Sequence, residues 1–147
     1  MAPFALLFAS LPAAMVLRAP PPLPTPLAHA SARVLSPRML EAATEAQIQK
    51  LIDSSPVVLF MKGNKLFPQC GFSNTAVQIL NSMNVPYEVC DVLENPAIRE
   101  GIKEYSSWPT IPQCYVNGEF IGGCDLMIEM YQSGELQEMV ERAAAEA

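Results

Sequence analysis

Apolar residues recur along this chain at two different spacings, and the switches between them mark its elements. From Glu41 to Asp53, Ile48, Leu51 and Ile52 fall at helical intervals behind Thr44, a predicted N-cap with Gln47 at the capping-box position. Ser54-Ser55-Pro56 ends that helix. Val57-Val58-Leu59-Phe60-Met61 is then a continuous apolar run rich in β-branched residues, which predicts a strand covered on both faces. After a loop over 63–69, Ala76, Val77, Ile79, Leu80 and Met83 form a helical stripe that starts close to Cys70. Tyr87 to Val92 reads as a second strand. Strand, helix and strand within this length predict a βαβ unit with parallel strands and a right-handed crossover.

Asn95-Pro96 predicts the start of a third helix carrying Ile98, Ile102 and Tyr105 on one side, since proline is well tolerated in a first turn. Cys114-Tyr115-Val116 and Glu119-Phe120-Ile121 flank Asn117-Gly118, the two-residue signal for a type I′ hairpin. Leu126–Gln132 and Glu135–Ala145 are helical in pattern, with Gly134 as the break. The order is helix, strand, helix, strand, helix, hairpin, helices. It predicts an α/β domain with a thioredoxin-like fold: a small mixed four-stranded sheet with helices on both faces.

Composition divides the chain. Of 147 residues, all fifteen acids lie at or beyond Glu41, whereas Arg18, Arg33 and Arg38 precede it; residues 39–147 hold six bases against fifteen acids, a formal charge of −9. Such a domain repels nucleic acid and anionic membrane, so neither is expected as a partner. No apolar stretch reaches the ~20 residues of a membrane-spanning helix.

Residues 1–38 contain no acid, eight prolines and scattered serines. Acid-poor, basic, Ser-containing N-termini read as organelle transit peptides, and the prolines argue against the long amphipathic helix of the mitochondrial kind. The expectation is a plastid (chloroplast stroma) address, with the mitochondrion as the alternative, followed by a single domain over 39–147. Phe4–Leu17 and Ala28-His29-Ala30 also resemble an h-region and a small-x-small cleavage site, without a positive n-region.

Cys70 carries the candidate chemistry. It precedes a helix, where free backbone N–H groups and the helix dipole favour a thiolate, the form of cysteine that ligates metal or attacks disulfides. Ser73 stands where a two-cysteine redox motif would place its resolving thiol, so a mixed disulfide at Cys70 has to be cleared by an outside thiol or a distant cysteine. Lys62, just after the first strand, could add positive charge and hold a ligand carboxylate. Cys90 and Cys114, on predicted strands, read as buried small hydrophobes.

Phe60-Met61-Lys62-Gly63, then Phe67-Pro68-Gln69-Cys70-Gly71-Phe72-Ser73, then Trp108-Pro109-Thr110-Ile111-Pro112-Gln113, then Gly122-Gly123-Cys124-Asp125 together resemble the monothiol glutaredoxins of the CGFS class, single-domain plastid and bacterial type. The resemblance runs over residues 45–141. It implies a homodimer in which two protomers and two glutathione molecules hold one 2Fe-2S cluster, with Cys70 as each protomer's ligand. It further implies glutathione contacts at Lys62 and Arg99 for the glycine carboxylate, Phe72 beside the thiol, Ile111 through its backbone, and Cys124 with Asp125 at the γ-glutamyl end. A tripeptide with two carboxylates and one amine calls for that polarity: cations, extended backbone pairing, an acid. Ile111–Pro112 matches the family's cis peptide, and Asp125 is expected to cap the helix that follows it.

The function implied is an iron-sulfur carrier delivering clusters to acceptor apoproteins, with a BolA-type protein as a further partner. The alternative is a glutathione-dependent thiol-disulfide oxidoreductase, at most weak, with Cys70 as nucleophile and glutathione as the resolving thiol. The segment Asn64 to Pro68 lengthens the approach to Cys70, as in family members that reduce disulfides poorly. The resemblance also admits exchange between Cys70 and Cys124.

Overall fold

The computed structural model describes residues 37–146. Its elements follow the order read from the sequence: α1 (Pro37–Ile52), β1 (Val57–Met61), α2 (Gly71–Ser82), β2 (Glu88–Asp91), α3 (Pro96–Tyr105), β3 (Gln113–Val116), β4 (Glu119–Gly122), α4 (Cys124–Ser133) and α5 (Glu135–Glu146). The address read over residues 1–38 lies outside the described residues except for Pro37 and Arg38, which open α1. That helix starts four residues before the predicted Glu41, because no breaker stands between Pro37 and Glu41 and proline suits a first turn. Thr44 therefore lies inside α1 and is not its N-cap. No helix among the described residues is long and apolar enough to cross a membrane.

The sheet order is β2-β1-β3-β4, with β1 parallel to β2 and antiparallel to β3, and β3 antiparallel to β4. All five residues of β1 are buried, as a strand covered on both faces requires. Alternation sorts them between two cores. Val57, Leu59 and Met61 pack with α2, α4 and α5 through Ala76, Leu80, Met127, Leu136 and Val140. Val58 and Phe60 pack with α1 and α3 through Ile48, Ile52, Ile98 and Ile102. The structure is thus a thioredoxin-like domain with α1 and α3 on one face of the mixed sheet and α2, α4 and α5 on the other.

Local signals fixed several boundaries. Asn95 caps α3, its side chain accepting from the amides of Ala97 and Ile98 at 3.0 and 3.4 Å. Asn117 and Gly118, at φ 49° and 82°, turn the β3–β4 hairpin. A register irregularity between Cys114 and Tyr115 has no signature in the sequence. Cys114 is fully buried as expected, whereas Cys90 is only half-buried, β2 being an edge strand.

Replacing the α3 cap tests this local account. Asn95→Ala should lower the unfolding free energy by about 1 kcal/mol, read as a reduced urea midpoint at unchanged slope.

Candidate functional site

The loop between β1 and α2 is bound to the sheet along its length. Gly63 donates from its amide to Asp91 Oδ1 at 3.0 Å, and Gln69 donates back to the Lys62 carbonyl at 2.9 Å. Asn64 Oδ1 accepts from the amides of Leu66 and Phe67, and Lys65 Nζ donates to the Tyr87 carbonyl while lying 4.2 Å above the Tyr87 ring. Gly63 has φ +86°, and a Cβ there would lie 2.3 Å from the Phe67 carbonyl oxygen, so only glycine closes this turn. Leu66 and Phe67 are held outward at 82% and 73% exposure.

The loop delivers Cys70 as the N-cap residue of α2, with extended backbone at φ −152°. The Cys70 thiol lies below its ordinary value of 9.0. The backbone N–H of Ser73 is the largest cause; burial opposes it, and the Phe72 amide, the Lys62 charge and the Ser73 hydroxyl add to the lowering. Ser73 is completely buried, and its Oγ accepts from the Lys62 amide at 3.2 Å. The hydroxyl thus joins the end of β1 to the first turn of α2. Phe72 points outward, 61% exposed.

A cleft of about 500 Å³ opens beside this thiol, and all seven residues expected from the sequence line it: Lys62, Cys70, Phe72, Arg99, Ile111, Cys124 and Asp125. They arrive from five places: the end of β1, the start of α2, the middle of α3, the turn before β3, and the start of α4. Of the charged residues among them, Lys62 follows β1, Arg99 is on α3 and the acid Asp125 is on α4. Ile111 is 9% exposed, and the Ile111–Pro112 peptide is cis. Buried Gln113 holds this turn, its Nε2 donating to the carbonyls of Trp108 and Thr110 at 3.0 and 3.1 Å.

The Asp125 expectation needs one correction. The N-cap of α4 is Gly123, and Asp125 lies inside the first turn, where its charge complements the helix dipole. Gly123 serves packing as well: a Cβ there would meet Trp108 Nε1 at 3.2 Å and the Pro112 carbonyl at 3.4 Å. Trp108 in turn lies 5.8 Å from Phe120, ring to ring.

Lys103 and Trp108 also line the cleft and were not among the expected site residues. Lys103 stands four residues after Arg99 and so shares its face of α3, a spacing that could have exposed it. The other thiols differ from Cys70 in the opposite direction. Burial raises Cys124, helped by the charges of Asp125 and Cys70; burial pushes Cys90 up to about 11 and Cys114 to about 12. All four cysteines are free.

Fold and site together define a thioredoxin-like protein with one lowered thiol at a helix N-terminus, beside a cleft. Residues 57–121 match the glutaredoxin family model. An uncharacterized monothiol glutaredoxin of Synechocystis is 64% identical over 102 residues, covering 69% of this chain and 95% of the relative. The chloroplastic monothiol glutaredoxin-S7 of rice is 56% identical over 125 residues, covering 80% of this chain and 74% of the relative. The solution structure of reduced apo GrxS14 from poplar superposes with a TM-score of 0.64 at 58% identity, covering 72% of this chain and 97% of that one. The chain belongs to the glutaredoxin family, in its monothiol branch.

Alkylation kinetics separate the thiols. Because only the thiolate reacts, Cys70 should be modified by iodoacetamide with a midpoint below pH 9.0, well ahead of Cys90 and Cys114. Ser73→Ala removes one of the groups lowering the thiol and should move that midpoint upward.

Proposed function

We propose that this domain binds glutathione in the cleft and, as a homodimer, carries a 2Fe-2S cluster to acceptor apoproteins. The observation that supports this most directly is that one lowered thiol, three cations (Lys62, Arg99 and Lys103) and an acid (Asp125) line the same cleft. Glutathione offers a glycine carboxylate for the cations and an α-amine for the acid. The backbone at Ile111 pairs with the extended tripeptide between them, and Cys124 contributes its amide at the γ-glutamyl end.

The cluster is cargo, and the donor set fits it. Iron-sulfur clusters take thiolates. Cys70 is the thiol held low, whereas Cys90, Cys114 and Cys124 are raised toward the protonated form. Among the described residues, no group of three or more His, Cys, Asp or Glu side chains could hold a metal ion. The resemblance to the monothiol family implies one ligand per chain, Cys70, with a second protomer and two glutathione thiols completing the four-thiolate set. The exposed Phe72, Leu66 and Phe67 near that thiol suit a partner protomer, an acceptor or a BolA-type protein.

The lowered thiol also favours a second reading as a weak oxidoreductase. The Cys70 thiolate would attack the glutathione sulfur of a glutathionylated protein and release the protein thiolate. A second glutathione thiolate would then attack that disulfide, giving glutathione disulfide and restoring Cys70. Ser73, buried and without a thiol, can take no part in resolving it.

Anaerobic reconstitution with iron, sulfide and glutathione should give a dimer with the visible absorption of a 2Fe-2S cluster in the wild type and none in Cys70→Ser. Glutathione-independent cluster formation, or none in the wild type, would sink the carrier reading. In the same pair, turnover on a glutathionylated peptide should vanish with Cys70.

The acid-poor N-terminus, together with chloroplastic and cyanobacterial relatives, supports a plastid location. Protein isolated from plastids should begin near residue 38; recovery from mitochondria with that start would reassign the address.

A further inference from the structure

Arg99 and Lys103 line the cleft from one face of α3, and Glu100 stands between them on the ridge above. Each Glu100 carboxylate oxygen lies 3.0 Å from Lys103 Nζ, and Oε1 lies 4.0 Å from Arg99 Nε. Arg99 Nε is buried and has no hydrogen-bond partner among the described residues. Glu100 does not line the cleft. It borders the groove on the other side of the ridge, between α1 and α3, in company with Glu41, Glu45 and Glu104. The cations that would receive a ligand carboxylate already have a carboxylate of the same chain against them.

We propose that Glu100 is an internal competitor for the ligand's glycine carboxylate and sets how tightly the cleft holds glutathione; the inference rests on the glutathione reading above. Lys103 Nζ already donates to both Glu100 carboxylate oxygens, so a ligand carboxylate would have to share that ammonium with Glu100 or displace it. Arg99 is held less closely, its Nε lying 4.0 Å from Glu100 Oε1 without a hydrogen bond to it. Glu100 is 64% exposed and Lys103 26%, so their pair is a modest, solvent-screened one and its effect on affinity is correspondingly modest. A charge this exposed acts on affinity through a screened field, so its effect falls as salt rises. For a carrier whose cluster ligands include glutathione, weaker glutathione binding weakens the hold on the cargo.

The test is calorimetric titration of wild type, Glu100→Gln and Glu100→Ala with glutathione and with its glycine amide, which lacks only the carboxylate in question. Both variants should bind glutathione about two- to five-fold tighter at low ionic strength, with a smaller gain at high salt. Neither variant should gain for the glycine amide. Unchanged or weaker glutathione binding in both variants, or an equal gain for both ligands, would overturn the role of Glu100 while leaving the glutathione site standing. A wild type that binds no glutathione would overturn the glutathione reading and this inference with it.

Discussion

Complete burial of β1 is the constraint on which the rest of the structure depends. Its five residues have no exposed face, so helices must cover both sides, and β1 with its neighbour β3 contributes side chains to both cores that result. Each fully buried Leu, Phe, Val or Met side chain contributes roughly 1.5–3 kcal/mol, more than any single cap or surface ion pair in the domain. Because β1 pairs with β2 on one side and β3 on the other, its register sets theirs. The end of this buried strand is Met61, and the next residue is Lys62. The site begins where the core stops.

From that anchor, short polar links carry rigidity outward to the thiol. Ser73 joins the Lys62 amide to the start of α2; Asp91 ties Gly63 to the end of β2; Gln113 fixes the turn that presents Ile111. None of these residues has to touch a ligand to matter. They hold Cys70 at a helix N-terminus, where backbone N–H groups favour its thiolate, beside the cleft that the other expected residues line. The same physics gives opposite outcomes for the remaining cysteines, which burial keeps protonated.

The cleft's cationic side also illustrates how one helix can supply both a ligand's partners and their counter-ion. Arg99 and Lys103 share a face because they are four residues apart, and Glu100, three residues before Lys103, reaches it from the neighbouring row. Binding strength at such a site is a difference between two carboxylates competing for the same charge. It is not a count of cations.

Periodicity and punctuation in the chain determined most of the fold. The apolar run at 57–61, the stripe from Ala76 to Met83, Asn95-Pro96 and Asn117-Gly118 each specify an element through local chemistry, and local chemistry is legible in one dimension. The four motif blocks likewise contain six of the seven expected site residues found in the cleft, Arg99 coming instead from the wider resemblance. Tertiary structure decided what depends on distance between elements. It placed the cap of α4 at Gly123, where Trp108 approaches closely, and it placed Thr44 inside α1. It brought Lys103 into the cleft, left Cys90 half-exposed on an edge strand, and set Glu100 against the cations. Close approach and charge pairing across space have no period along the chain, so only the folded molecule could determine them.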